Sequence, residues 1–155
     1  MKYLIILFVL LFTACSTKNY EHTQTKVIII KSPLLKFSDL GYIRNTDDSL
    51  SLELFSAGQR VEEITINNLV CVTKGCMSKS GFNEEYLNEK YPDEILQNII
   101  LARPIFNSRN LIKTKNGFEQ KIVNENFFII YRVSSNQTYF KDKRNNILLK
   151  IKDTK

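Results

Sequence analysis

Leu50, Leu52 and Leu54 alternate with Ser51, Glu53 and Phe55. A period of two sends every second side chain to one side of an extended chain, so this segment reads as a strand with one face buried. The pattern continues on both sides. Residues 27–30 are a β-branched run, and Pro33 interrupts before residues 34–44. A polar turn at residues 45–48 leads into the leucine strand, and Ser56-Ala57-Gly58-Gln59 reads as a hairpin loop after it. Residues 60–67 place Ile64 and Ile66 on one face and Glu63 and Thr65 on the other. Asn67-Asn68 turns the chain into residues 69–73, and Lys74-Gly75 turns it again. Consecutive strands on short turns make an antiparallel meander.

The middle of the chain changes period. Asn83 reads as a helix N-cap, with Glu84 and Glu85 in a first turn where carboxylates meet the positive helix end. That helix runs to Tyr91, and Pro92 opens a second one with Asp93 and Glu94 in its first turn. Ile95, Leu96, Ile99 and Ile100 form an apolar stripe at helical period, and Arg103-Pro104 stops it. Strands resume at residues 111–114 and 118–123 around Lys115-Asn116-Gly117, a hairpin signal. Residues 127–133 are apolar on both faces and read as a central strand, followed by strands at 138–141 and 147–152. The order predicts an α+β fold, mainly β. Its expected form is a curved antiparallel sheet or unclosed β-barrel with two short helices on its concave face.

The N-terminus points to a location. Lys2 supplies a positive start, residues 3–12 an apolar stretch, and small Thr13 and Ala14 precede Cys15 in Leu11-Phe12-Thr13-Ala14-Cys15-Ser16. This is the shape of a bacterial lipoprotein signal, with Phe12 at the place where the motif usually carries Leu. The alternative is an ordinary cleaved signal in which Cys15 is incidental. Ten apolar residues rise only ~15 Å as a helix, half of a ~30 Å hydrocarbon core, so the segment is expected to be removed rather than to span. The expected organisation is a signal peptide over residues 1–14, a lipidated flexible tether over 15–25, and one β-rich domain over 26–155. Palmitate-type chains on Cys15 would anchor the protein to a membrane. Ser16 after the cysteine favours the outer membrane, with the domain facing the periplasm or the cell surface.

Charge and cysteines set further limits. The chain carries 22 Lys and Arg against 16 Asp and Glu, a formal +6. Lys36, Arg44, Arg60, Lys74, Lys90, Arg103, Lys121 and Lys143 are dispersed along the sequence, which reads as solvated surface. Export leaves no role for cytoplasmic nucleic acid. Cys71 and Cys76 flank Lys74-Gly75, so in an oxidising compartment they form either a disulfide across the turn or two free thiols, and we expect the disulfide. A metal is not expected: C-x4-C has no second pair, and the single histidine, His22, falls in the tether.

Chemistry has few candidates. The chain contains no G-x-S-x-G, H-E-x-x-H, phosphate loop or dinucleotide fingerprint. One tether-borne histidine gives no basis for activating a nucleophile. The acidic pairs Asp47-Asp48, Glu62-Glu63 and Glu84-Glu85 sit on a turn, a strand and a helix start, where they read as structural. The expectation is a protein that is not an enzyme and uses no cofactor.

Several segments resemble one family. Phe82-Asn83-Glu84-Glu85-Tyr86-Leu87, residues 92–101 ending in Ala102-Arg103-Pro104, residues 127–132, and residues 141–151 with their Asp142-Lys143-Arg144-Asn145-Asn146 turn are similar to the LolB outer-membrane lipoprotein receptors. The resemblance covers most of residues 34–152. It implies an unclosed β-barrel whose helices lid an apolar cavity, receiving lipoproteins from a periplasmic carrier and placing them in the outer membrane. The family carries an exposed leucine on a protruding loop, where this chain has Ser56-Ala57-Gly58-Gln59. The expected function is therefore a lipid-anchored binding module for acyl chains. Its cavity would be lined by Leu52, Leu54, Ile64, Ile66, Phe128 and Ile130, with Ile95 and Ile99 on the lid. The alternative is a structural or assembly lipoprotein, or an adhesin, whose strands pack tightly and leave no cavity.

Overall fold

The computed structural model describes residues 22–46 and 48–154. The first half of the chain forms β1 (His22–Lys31), β2 (Lys36–Asn45), β3 (Leu50–Ser56), β4 (Gln59–Ile66), β5 (Val70–Val72) and β6 (Gly75–Met77). Two helices follow, α1 (Lys79–Tyr86) and α2 (Ile95–Ile100), and then a short 3-10 turn at Phe106–Ser108. The second half forms β7 (Leu111–Thr114), β8 (Gly117–Val123), β9 (Phe128–Ser134), β10 (Gln137–Asp142) and β11 (Ile147–Asp153). The strands make one antiparallel sheet in the order β6-β5-β4-β3-β2-β1-β11-β10-β9-β8-β7. β6 and β7 are its free edges, so the sheet does not close into a barrel. The class is α+β, mainly β, with two short helices.

The sheet is two meanders joined through the first and last strands. β1 pairs β11 with Ile28 opposite Ile151 and Ile30 opposite Leu149. The buried apolar residues of neighbouring strands then line up on one side of the sheet. Leu50, Leu52 and Leu54 lie beside Ile64 and Ile66, and Phe140 lies between Tyr131 and Leu149. The helices bury Phe82, Tyr86, Ile95, Leu96, Ile99 and Ile100 in the same continuous core. Period two in the strands and period 3.6 in the helices thus meet along one apolar layer.

The turns follow their residues. Ala57 and Gly58 both have positive φ, 50° and 79°, as a two-residue hairpin turn matched to the strand twist requires. The second hairpin turns on Lys115-Asn116, with Gly117 already in β8 opposite Thr114 and Ser134. A Cβ at Gly117 would sit 2.0 Å from the Val133 carbonyl oxygen, so β8 and β9 approach more closely than any other residue allows.

Four expectations need correction. β1 begins at His22, so residues 22–25 are strand, paired with Tyr42–Asn45, and not tether. Their Thr-Gln-Thr pattern is polar because most of this end of β1 is exposed, which is why composition alone reads as leash. Helix α1 is capped by Ser78, whose Oγ accepts from Gly81 N at 3.0 Å, and not by Asn83. Asn83 is buried inside the helix, donating from Nδ2 to the Pro92 carbonyl at 3.0 Å and thereby holding the next segment. α1 ends at Tyr86, and α2 starts at Ile95, because Pro92–Glu94 form a turn closed by Ile95 N donating to Pro92 O at 3.0 Å. Finally, Phe128 and Ile130 lie on the opposite face from the core. Asp142 pairs with Ile129 and Phe140 with Tyr131, which fixes Ile129 and Tyr131 as the inward pair.

Candidate functional site

A cleft of about 320 Å³ opens where the C-terminal end of α2 meets the sheet. Its floor is Ile43 of β2 and Ile151 of β11, and its roof is Ile100, Leu101 and Ala102. The rim is polar, with His22, Gln24 and Lys26 from β1, Asn45 from β2, and the Ser134–Thr138 turn between β9 and β10. Lys26 is ion-paired to Asp153 across β1 and β11.

The roof is set by how α2 stops. Arg103 N donates to Asn98 O at 2.8 Å and Ala102 N to Ile99 O at 3.2 Å, the paired bonds of a Schellman end. Ala102 takes the left-handed conformation at φ 54°, a place where glycine is usual. The Tyr131 hydroxyl donates to the Arg103 carbonyl at 2.9 Å and ties this end to β9. Burial raises the pKa of Tyr131 above its ordinary 10.0, which keeps that hydroxyl a donor.

A buried polar hub holds the other end of the helix layer. Asp142 is 0% exposed. Its Oδ2 accepts from the Tyr91 hydroxyl at 2.8 Å and from Asn145 Nδ2 at 2.6 Å, and its Oδ1 accepts from Phe128 N at 3.1 Å and Arg144 N at 3.0 Å. Asn88 Nδ2 donates to Asn145 Oδ1 at 3.0 Å, so the hub joins the link between the helices to the β10–β11 turn. Burial, and then the bond to Asp142, push the Tyr91 pKa above its ordinary 10.0. Asp142 was legible only as part of a polar turn. Its core role could have been sought in its position, in phase with Phe140 and Thr138 on an alternating strand.

The segment before β7 is held in the same way. Gln120, 1% exposed, accepts from Ile105 N at 2.8 Å and donates to the carbonyls of Ile105 at 2.9 Å and Arg109 at 2.8 Å. Between those anchors Phe106, Asn107 and Ser108 all have positive φ. Such a run is sterically costly for residues with a Cβ, and the side-chain clamp keeps it in place.

The residues read as a cavity lining behave otherwise. Leu52, Leu54, Ile64, Ile66, Ile95 and Ile99 come together, each 2% exposed or less, as solid core. None of the eight, Phe128 and Ile130 included, lines the cleft. Phe128 is half-buried on the outer face, with Lys143 Nζ 4.8 Å and Lys121 Nζ 5.7 Å from its ring centroid. Cys71 and Cys76 are joined as a disulfide directly across β5 and β6. Cys15 lies outside the described residues. His22, read as tether, stands instead on the rim of the cleft.

Among the described residues no three His, Cys, Asp or Glu side chains are grouped so as to hold a metal ion, and no helix is long and apolar enough to cross a membrane. No protein-family model, curated protein or solved structure matches the chain.

Proposed function

We propose that this protein is a lipid-anchored, noncatalytic binding module at the periplasmic face of the outer membrane, held there through Cys15 and binding an apolar ligand at the α2 cleft. The observation that carries this reading is the cleft itself. It has an apolar floor and roof and a polar rim, and lies at the ends of the central strands β2, β1 and β11 beneath the C-terminal end of α2. Convergent polar groups around an apolar base are what small-ligand sites share. The specific form we favour is LolB-like receipt of acyl chains from a periplasmic lipoprotein carrier. About 320 Å³ takes only part of a long acyl chain, so deeper entry requires α2 to move off the core. The test is depletion of the protein in cells, followed by fractionation of other lipoproteins. A mislocalised pool is expected, and normal arrival at the outer membrane overturns receipt.

One observation favours a second reading, a structural or assembly lipoprotein. Six of the eight side chains assigned to a cavity fill the core, leaving no preformed chamber at their position. A fluorescent acyl probe separates the two. Saturable uptake lost in Ile100→Asp supports the binding module, and no uptake by the folded protein supports the structural role.

A further inference from the structure

The lysines that look dispersed in sequence are gathered by the sheet register. One row of the outer face runs Lys36, Lys31, Leu148, Lys141, Ile130, Lys121 across β2, β1, β11, β10, β9 and β8. The adjacent row carries Lys150, Tyr139 and Arg132, with Lys152 one row further. On these six strands the outer face holds a single acid, Glu119, which is paired with Arg132 at 3.3 Å. The other half of the same face is different: Glu53 and Glu63 are balanced by Arg44 at 3.0 Å and Arg60 at 2.6 Å. The crowding is felt at Lys150, whose pKa is lowered by burial and then by Lys152.

Aromatic rings are interleaved with this charge. Lys121 and Lys143 lie over Phe128, and Lys150 lies 6.0 Å from the Tyr139 ring centroid. Leu40, Val27, Ile29 and Ile130 share the face. A basic surface with half-exposed apolar and aromatic side chains complements a bilayer interface, where phosphates meet the first methylenes.

We propose that the outer face of β1, β2 and β8–β11 is a docking surface for the anionic phosphate headgroups of the membrane to which the protein is tethered. The membrane, rather than another polyanion, is favoured by reach, and this argument rests on the anchoring of Cys15. Seven residue steps separate Cys15 from His22, at most roughly 25 Å of extended chain. β1, into which they lead, contributes Lys31 to the face. The tether therefore holds the near end of this surface, where Val27 faces Lys152, close to the bilayer.

The experiment uses the full chain carrying Cys15→Ser, so that no acyl group contributes. Its sedimentation is measured with vesicles of phosphatidylcholine alone and of an equal mixture with phosphatidylglycerol. Greater binding to the mixture, weakened by added salt, is expected. Adding Lys121→Gln, Lys141→Gln and Lys150→Gln lowers partitioning by ~100-fold, at about 5-fold per lysine. Lys74→Gln with Lys90→Gln, away from the face, leaves it unchanged. All variants share one N-terminus, so differences between them report the face. Circular dichroism checks folding, and if the triple variant unfolds, the single variants are each read against the 5-fold expectation. Equal binding to both vesicle types, or equal loss in the Lys74 and Lys90 variant, overturns the proposal. Binding to heparin without binding to the mixed vesicles also overturns it, in favour of an acidic macromolecule. Anchoring is read separately from the mass of the wild-type protein extracted from cells, so the two failures are distinguishable.

Discussion

Asp142 is the residue on which the most structure converges. Five donors from three segments meet one buried carboxylate, so removing it leaves several of them without partners in a dry site. Asp142→Ala is expected to lower stability by about 3 kcal/mol, measured by urea unfolding. Tyr91 sets a pH limit. Its pKa in the folded protein is raised above 10.0, so the native state keeps a proton that the unfolded chain releases. Its contribution is complete below pH 10 and declines as pH rises above that value. Tyr131 acts in the same direction. Stability measured from pH 8 upward should therefore fall beyond about 10, and Tyr91→Phe should flatten that fall. A constant stability across this range would rule out the buried hydroxyl as its source.

At the scale of elements, conformation is decided at a few backbone positions. Ala102 holds a left-handed φ at the end of α2, which a residue with a Cβ adopts at a cost of roughly 1 kcal/mol. Ala102→Gly should gain about 0.5–1 kcal/mol in thermal unfolding, net of the larger entropy of the unfolded glycine. Gly117→Ala should do the opposite. Its Cβ would be driven into the Val133 carbonyl, separating β8 from β9 at a cost of about 2–3 kcal/mol. Most strands were legible because alternation specifies them, as with Leu50, Leu52 and Leu54. β9 was legible as a strand but not as to which face is inward. Phe128 to Val133 offers apolar side chains on both sides, and only pairing with Asp142 and Phe140 decides the matter. The start of α1 was misplaced for a related reason. Ser78 and Asn83 are both competent caps, and the buried Phe82 fixes the first turn five residues earlier than Asn83 would.

At the scale of the molecule, the basic outer face was invisible in the sequence because its lysines are far apart along the chain. Lys31 and Lys141 are neighbours only through Leu148, and no local window holds that relation. The cleft was hidden likewise, since its walls come from β1 and β2, from the end of α2, and from the Ser134–Thr138 turn and β11, which are far apart along the chain. The open sheet also implies uneven stability. β7 pairs on one side only, and Ile112 is 69% exposed, whereas β1 and β11 have partners on both sides. Hydrogen exchange should release β7 amides well before those of β1 and β11. Simultaneous exchange of all strands would mean that the sheet opens only as a unit.

The pairing of β1 with β11 carries a further consequence, in time rather than in energy. Ile28 meets Ile151 across nearly the whole domain, so the seam that unites the two meanders cannot form until the last strand has been synthesised. Each meander can assemble locally, but a contact of such long sequence separation slows the final step. A chain stopped before Ile147 would leave β1 with an unpaired edge at the centre of the molecule.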